Sequence, residues 1–112
     1  MGRLRIGAAA STLPVQVCRS FRARLRGYGL RRGAHAGVWL EPCAAVHTLW
    51  PWQPIDVVFV ARSGRVLRVC SAVRPGRLRW CAGAHAVLEL PAGGCTALAI
   101  RTDSCVSVLY DE

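Results

Sequence analysis

This 112-residue sequence predicts a mainly β fold, a compact antiparallel β-sandwich or barrel with one short helix near its start. Three observations carry that expectation. Short apolar or alternating runs recur along the chain, each closed by Gly, Pro or Ser-Gly turn signals, as strands are. The apolar fraction of 53% is enough for one hydrophobic core and the length leaves no room for a second. Finally, Phe21, Leu25 and Tyr28 repeat at helical spacing, with arginines 22, 24 and 26 between them.

Residues 1–14 show no clear period and contain Gly2, Gly7 and Pro14, so they read as a loosely ordered arm before a single β-rich domain over 15–112. Val15 to Cys18 is a short strand. Ser20 caps the start of the amphipathic helix, and Gly27 and Gly29 end it. At about two turns this helix cannot persist alone and must dock its stripe on a sheet. Val38 to Leu40 forms a strand closed by Glu41 and Pro42. Two prolines exclude Trp50 to Pro54 from a central strand, because each removes a ladder donor. Ile55 to Ala61 then alternates, with Val57, Phe59 and Ala61 on one face and Asp56, Val58 and Val60 on the other. Arg62-Ser63-Gly64 turns the chain back into Arg65 to Ala72, the clearest hairpin in the sequence. Leu78 to Trp80, Ala86 to Leu90 and Cys105 to Tyr110 supply further strands, with one helical turn expected within Cys95 to Ile100.

The formal charge of +9 raises nucleic-acid binding as a function. Its distribution argues against that partner: residues 1–40 hold eight arginines and no acid, whereas 41–112 hold seven arginines against six acids. All fifteen basic residues are arginine, which matches a compositional bias better than selection for phosphate, and a solvated basic face is the expectation. No apolar run reaches the roughly 18 residues that span a bilayer. The basic start and small apolar residues 6–10 resemble a secretory leader, but Ser11, Thr12 and Pro14 interrupt them, so the expected location is the cytoplasm. There the six cysteines should be reduced and packed as small hydrophobes.

Several short motifs occur in a recognisable order: Arg26-Gly27, Gly37-Val38-Trp39-Leu40, His47-Thr48, Pro54-Ile55-Asp56-Val57-Val58-Phe59, Ser63-Gly64-Arg65-Val66, Val87-Leu88-Glu89-Leu90 and Ala92-Gly93. From about Val15 to Leu109 the chain resembles domain-of-unknown-function family 192, small proteins of bacteria and archaea. The resemblance implies a compact, mostly β domain with a short helix near its start, and it brings no activity with it. Tyr28-Gly29 and Leu49-Trp50-Pro51-Trp52 depart from the family pattern, so the rim of any pocket should differ from that of other members.

The stretch from Cys43 to Val60 concentrates the residues able to do chemistry. A charged side chain costs several kcal/mol to bury alone, so Asp56 and Glu89, each set in an apolar strand, must be paired, hydrogen-bonded or at a cleft. One reading gathers His47, Thr48, Asp56 and Glu89, with Arg26 and the tryptophans Trp50 and Trp52, around a ligand groove. The other gives the acids backbone N–H partners. No nucleophile with its base and oxyanion donors is evident, so a non-catalytic module holding a small ligand or protein segment is favoured over an enzyme using His47 with Asp56 or Glu89. Cys43 lacks the cation or third group that would make it a nucleophile on His47. Cys43 with His47 and Cys81 with His85 form two Cys-x-x-x-His half-sites of the sort zinc accepts. In an extended strand such residues lie about 13 Å apart, so each half-site would have to coil to hold one ion, and the expectation is no cofactor.

Overall fold

The computed structural model describes residues 2–7, 12–18, 37–48 and 53–110, which form nine strands and one short helix. In chain order these are β1 Gly2–Ile6, β2 Leu13–Cys18, β3 Gly37–Leu40, β4 Ala45–His47, β5 Ile55–Val60, β6 Val66–Val73, β7 Leu78–Trp80, β8 Ala86–Pro91, α1 Gly94–Ala97 and β9 Val106–Tyr110. Seven strands share one sheet in the order β6-β5-β8-β3-β2-β1-β9, and β4 pairs with β7 in a separate ribbon. All neighbours are antiparallel except β2 and β3.

The sheet curls into a half-barrel because its two outermost strands meet. Arg65 and Cys105 form an antiparallel bridge, the Val66 N–H donates to Ser104 O at 2.8 Å, and the Val106 N–H donates to Gly64 O at 2.8 Å. The alternation along each strand then sends one set of side chains into the curl and the other set outward. The inner cluster draws on every strand of the sheet: Leu4, Val15, Trp39, Val58, Val60, Val66, Leu88, Leu90 and Val106 are among its buried members, with Cys95 and Ile100 from the α1 region. Cys18, Val38, Leu40, Ile55, Val57, Phe59, Cys70, Val73 and Val87 form an outer cluster, joined by Val46 of the β4–β7 ribbon. Burial on both faces explains why β5 reads as a nearly continuous apolar run, and a large side chain buried there contributes about 1.5–3 kcal/mol.

The hairpin β5–β6 is as the sequence predicts, as are β3, β7, β8 and β9. Within the arm expected over residues 1–14, Gly2–Ile6 and the start of β2 at Leu13 and Pro14 are instead part of the sheet. β1 pairs with both β2 and β9, with Leu4 inside the curl and Arg3 exposed. The alternation of Arg3, Leu4, Arg5 and Ile6 is a strand signal that the flanking glycines obscure. The helix expected from Ser20 to Tyr28 lies outside the described residues. Among the described residues, no helix is long and apolar enough to cross a membrane.

Closure of the curl requires a glycine at position 64. Gly64 sits at φ +93, and a Cβ there would lie 2.7 Å from Val106 O, the residue whose N–H it receives. Gly76 also has a positive φ, +80, but a Cβ there meets nothing within 4 Å. Gly76→Ala should therefore cost about 1 kcal/mol from backbone strain, whereas Gly64→Ala should cost about 3 kcal/mol, since strain and collision add. Urea unfolding of the two variants tests this; equal losses would mean that the β6–β9 closure carries no weight.

Candidate ligand-binding cleft

The two acids singled out in the sequence do not share a site. Directly opposed residues lie on the same face of a sheet, and β5 and β8 pair Asp56 with Leu90 and Val57 with Glu89. Asp56 therefore faces the inside of the curl, and Glu89 faces outward with Val57 and Val38. Both are 2% exposed. His47 is exposed on β4, opposite Leu78. Thr48 is buried as a clasp on the turn between β6 and β7: its hydroxyl donates to Arg74 O at 2.7 Å and accepts from the Arg77 N–H at 2.8 Å. Trp50, Trp52 and Arg26 lie outside the described residues.

Asp56 holds the framework together. β6 carries a bulge here, because Ile55 pairs with Val73 and Val57 with Cys70, leaving Ser71 and Ala72 opposite the single residue Asp56. Ala72 adopts φ 49, and its unladdered N–H donates to Asp56 Oδ1 at 2.8 Å. The other carboxylate oxygen, Oδ2, accepts the Cys95 N–H at 3.0 Å. α1 has Gly93 before its first residue and no side-chain cap of its own, so Asp56 supplies the acceptor from across the core. One side chain thus fixes the bulge of β6 and the start of α1 to β5. Burial pushes the Cys95 thiol up from an ordinary 9.0 to about 12, with the Asp56 charge and its hydrogen bond adding to the shift. Cys95 is accordingly a neutral packing group, unsuited to nucleophilic work.

The zinc half-sites do not assemble either. β4 is extended through Ala45–His47, with His47 at its end and Cys43 two residues before its start. The Cys43 thiol donates to Ala45 O at 3.1 Å, and Cys43 and Cys81 pack against the outer cluster. Among the described residues, no three of His, Cys, Asp and Glu converge on a point that could hold a metal ion.

A cleft of about 180 Å³ opens where β3 and β5 end and β8 begins, under the run of β9. Trp39, Glu41, His85 and Tyr110 give it character, and the β5–β6 turn, Arg62 to Gly64, forms its lip. Glu41 is the hub. Its Oε2 accepts the Tyr110 hydroxyl at 2.9 Å, its Oε1 accepts the Trp39 indole N–H at 3.4 Å, and His85 Nε2 stands 3.7 Å from the same Oε1. His85 is positioned through its backbone: its N–H donates to Val60 O at 2.8 Å, and its carbonyl accepts the Cys43 N–H at 2.9 Å. Both side chains remain partly open, 18% for Glu41 and 27% for His85. The cleft therefore offers an anionic acceptor, an imidazole that can donate or accept, a phenol, and an apolar floor made by Trp39, Val60 and Val106. Sequence reading placed His85 in a metal half-site and took Glu41 as the end of a strand. Glu41 and Tyr110 are 69 positions apart, and no local pattern joins them.

The family model described as Uncharacterized ACR, domain-of-unknown-function family 192, matches residues 3–108, and the chain belongs to that family. The fold is shared with two solved structures. A protein from Sinorhizobium meliloti, described as a candidate transcription regulator, is 19% identical with a TM-score of 0.81, covering 96% of this chain and 92% of that one. A protein of unknown function from Novosphingobium aromaticivorans is 20% identical with a TM-score of 0.79, covering 94% of this chain and 83% of the other. A search of curated proteins found no match.

Removing the Asp56 carboxylate should leave the buried Cys95 N–H and the partly buried Ala72 N–H without this acceptor. Asp56→Ala is expected to lose about 3 kcal/mol of stability, and Asp56→Asn about 2 kcal/mol, because its NH₂ must face one of the donors. A variant as stable as the parent would show that the carboxylate is not an anchor.

The Cys95 shift sets a second expectation. The folded chain favours the neutral thiol while the unfolded chain ionises near 9, so the unfolded state binds fewer protons above that pH. Stability is full below about 9 and should fall as pH rises toward 12. The alkaline loss should be smaller in Cys95→Ala, measured as the difference between the two proteins' unfolding curves. Identical alkaline limbs would contradict the shift.

Proposed function

We propose that the protein is a non-catalytic binding module that holds a small, donor-bearing organic ligand in the cleft between Glu41, His85 and Tyr110. The convergence of three side chains on one partly open carboxylate carries this reading. A carboxylate only accepts hydrogen bonds, so it selects ligands with hydroxyl or amine donors, and the apolar floor beside it suits one face of a ring. The volume matches roughly six water molecules at about 30 Å³ each, the scale of a single ring or a side chain. This groove replaces the one expected around His47, Asp56 and Glu89, where the inner acid already has both oxygens on backbone donors. The same site would take the end of a protein segment if it projected a donor-bearing side chain.

The pairing of His85 with Glu41 supports a second reading, acid–base catalysis. At 3.7 Å the pair lies beyond a hydrogen bond and would have to close on a substrate. Ser63 and Ser107 also line the cleft, but neither has a hydrogen bond to His85 among the described residues.

Saturation-transfer NMR with a library of ring-sized polyols and amines is the test. Hits should lose about tenfold or more in affinity in Glu41→Gln, whose amide presents NH₂ to the same space. Chemical-shift changes should centre on Trp39, His85 and Tyr110. Absence of binders, or binders indifferent to Glu41→Gln, would overturn the proposal. Turnover of a hit that disappears in His85→Gln would select the catalytic reading.

A further inference from the structure

Four of the six acids beyond residue 40 are withdrawn or engaged in the fold. Asp56 and Glu89 are buried, Glu41 is taken into the cleft, and Asp103 is hydrogen-bonded to Arg65 at 2.7 Å. From Val57 to Leu88 the chain carries six arginines, at 62, 65, 68, 74, 77 and 79, and no acid. Among the described residues, Arg65 is the one of these six that meets a carboxylate. The β5–β6–β7 side of the molecule is therefore more positive than its sequence balance suggests.

An aromatic ring stands in this field. Trp80 is 61% exposed and Leu78 is 43% exposed on the outer side of the β4–β7 ribbon, facing the same way as His47. The Arg68 guanidinium donates from Nη1 to the Trp80 backbone O at 2.8 Å, which ties a cation to the main chain of the residue that carries the indole. Arg68 pairs with Phe59 and so lies on the outer face of the sheet, next to the ribbon. Arg74 and Arg77 lie on the turn that leads into β7, and Thr48 clasps that turn. From Arg77 to Trp80 is about 10 Å at the rise of a strand, enough for about two nucleotides of extended chain.

We propose that this outer face of β7 binds a single-stranded polynucleotide, with a base stacked on Trp80 and its phosphates met by Arg68, Arg74 and Arg77. Charge complementarity points to a polyanion. The exposed indole separates a single strand from other polyanions, because an unpaired base presents a π-face that a duplex keeps within its stack. An anionic membrane would also attract the arginines, but Trp80 and Leu78 are a small apolar surface to insert. The site is separate from the cleft and does not depend on what the cleft binds.

Fluorescence anisotropy with end-labelled twelve-nucleotide oligo-dT and oligo-rU tests the proposal, the two probes telling DNA from RNA. Binding should weaken about twentyfold between about 50 and about 200 mM salt if three phosphates are neutralised. Trp80→Ala should weaken it about tenfold and Trp80→Phe much less, since a phenyl ring still stacks. Arg77→Glu should weaken it and flatten the salt dependence. Because Trp80 is exposed, these variants should fold like the parent, which unfolding curves check. The proposal is overturned by no binding to either probe at low salt, by equal affinity for a duplex with no effect of Trp80→Ala, or by flotation on phosphatidylserine vesicles without oligonucleotide binding.

Discussion

The structure depends on one buried carboxylate whose two oxygens each accept a backbone N–H. Asp56 sits inside a curl lined by Val58, Val60, Leu88 and Leu90, where a lone charge would cost several kcal/mol. Its two oxygens are instead spent on N–H groups that regular structure leaves over, one from the bulge at Ala72 and one from the first turn of α1. Each partner needs the other. Without the carboxylate, the bulge and the helix start would lose the acceptor of their donors, and without those donors the carboxylate could not be buried. The result is an end of the half-barrel pinned by one side chain. The cleft opens at the far end, where β3 and β5 finish and β8 begins.

This division accounts for where chemistry can occur. The same alternation that sends Asp56 inward sends Trp39 to the interior, and Glu41, two residues on, reaches the rim of that interior at the open end. Tyr110 arrives from β9, which the Gly64 closure holds against the β5–β6 turn. The cleft is therefore assembled by the curl itself, from strands distant in sequence. The outer face exposes Trp80 on a ribbon whose Val46 packs in the same cluster as Phe59 and Val57.

Much of the fold was legible in the residues, and much of the site was not. The two-residue period of Ile55 to Val60 gives its two faces correctly, and the Ser63-Gly64 turn gives the hairpin. The family resemblance is likewise carried by motifs that the family match covers. What fails is anything that depends on pairing between distant strands. Asp56 and Glu89 both stand in apolar runs, and either could join a cluster. A single residue of register between β5 and β8 sends them to opposite faces. The hub at Glu41 depends on Tyr110, brought near by the chain of pairings β3–β2–β1–β9. β1 was hidden because four alternating residues between glycines resemble a tail as much as a strand.

Native-state hydrogen exchange at the amides of Ala72 and Cys95 tests the central role of Asp56 most directly. One amide lies in a bulge and the other in the first turn of a four-residue helix, places where exchange is ordinarily fast. If the carboxylate holds both, they exchange as slowly as the amides of β5 and β8, through global unfolding. Exchange at the rate of open loops, with β5 and β8 still protected, would contradict the account.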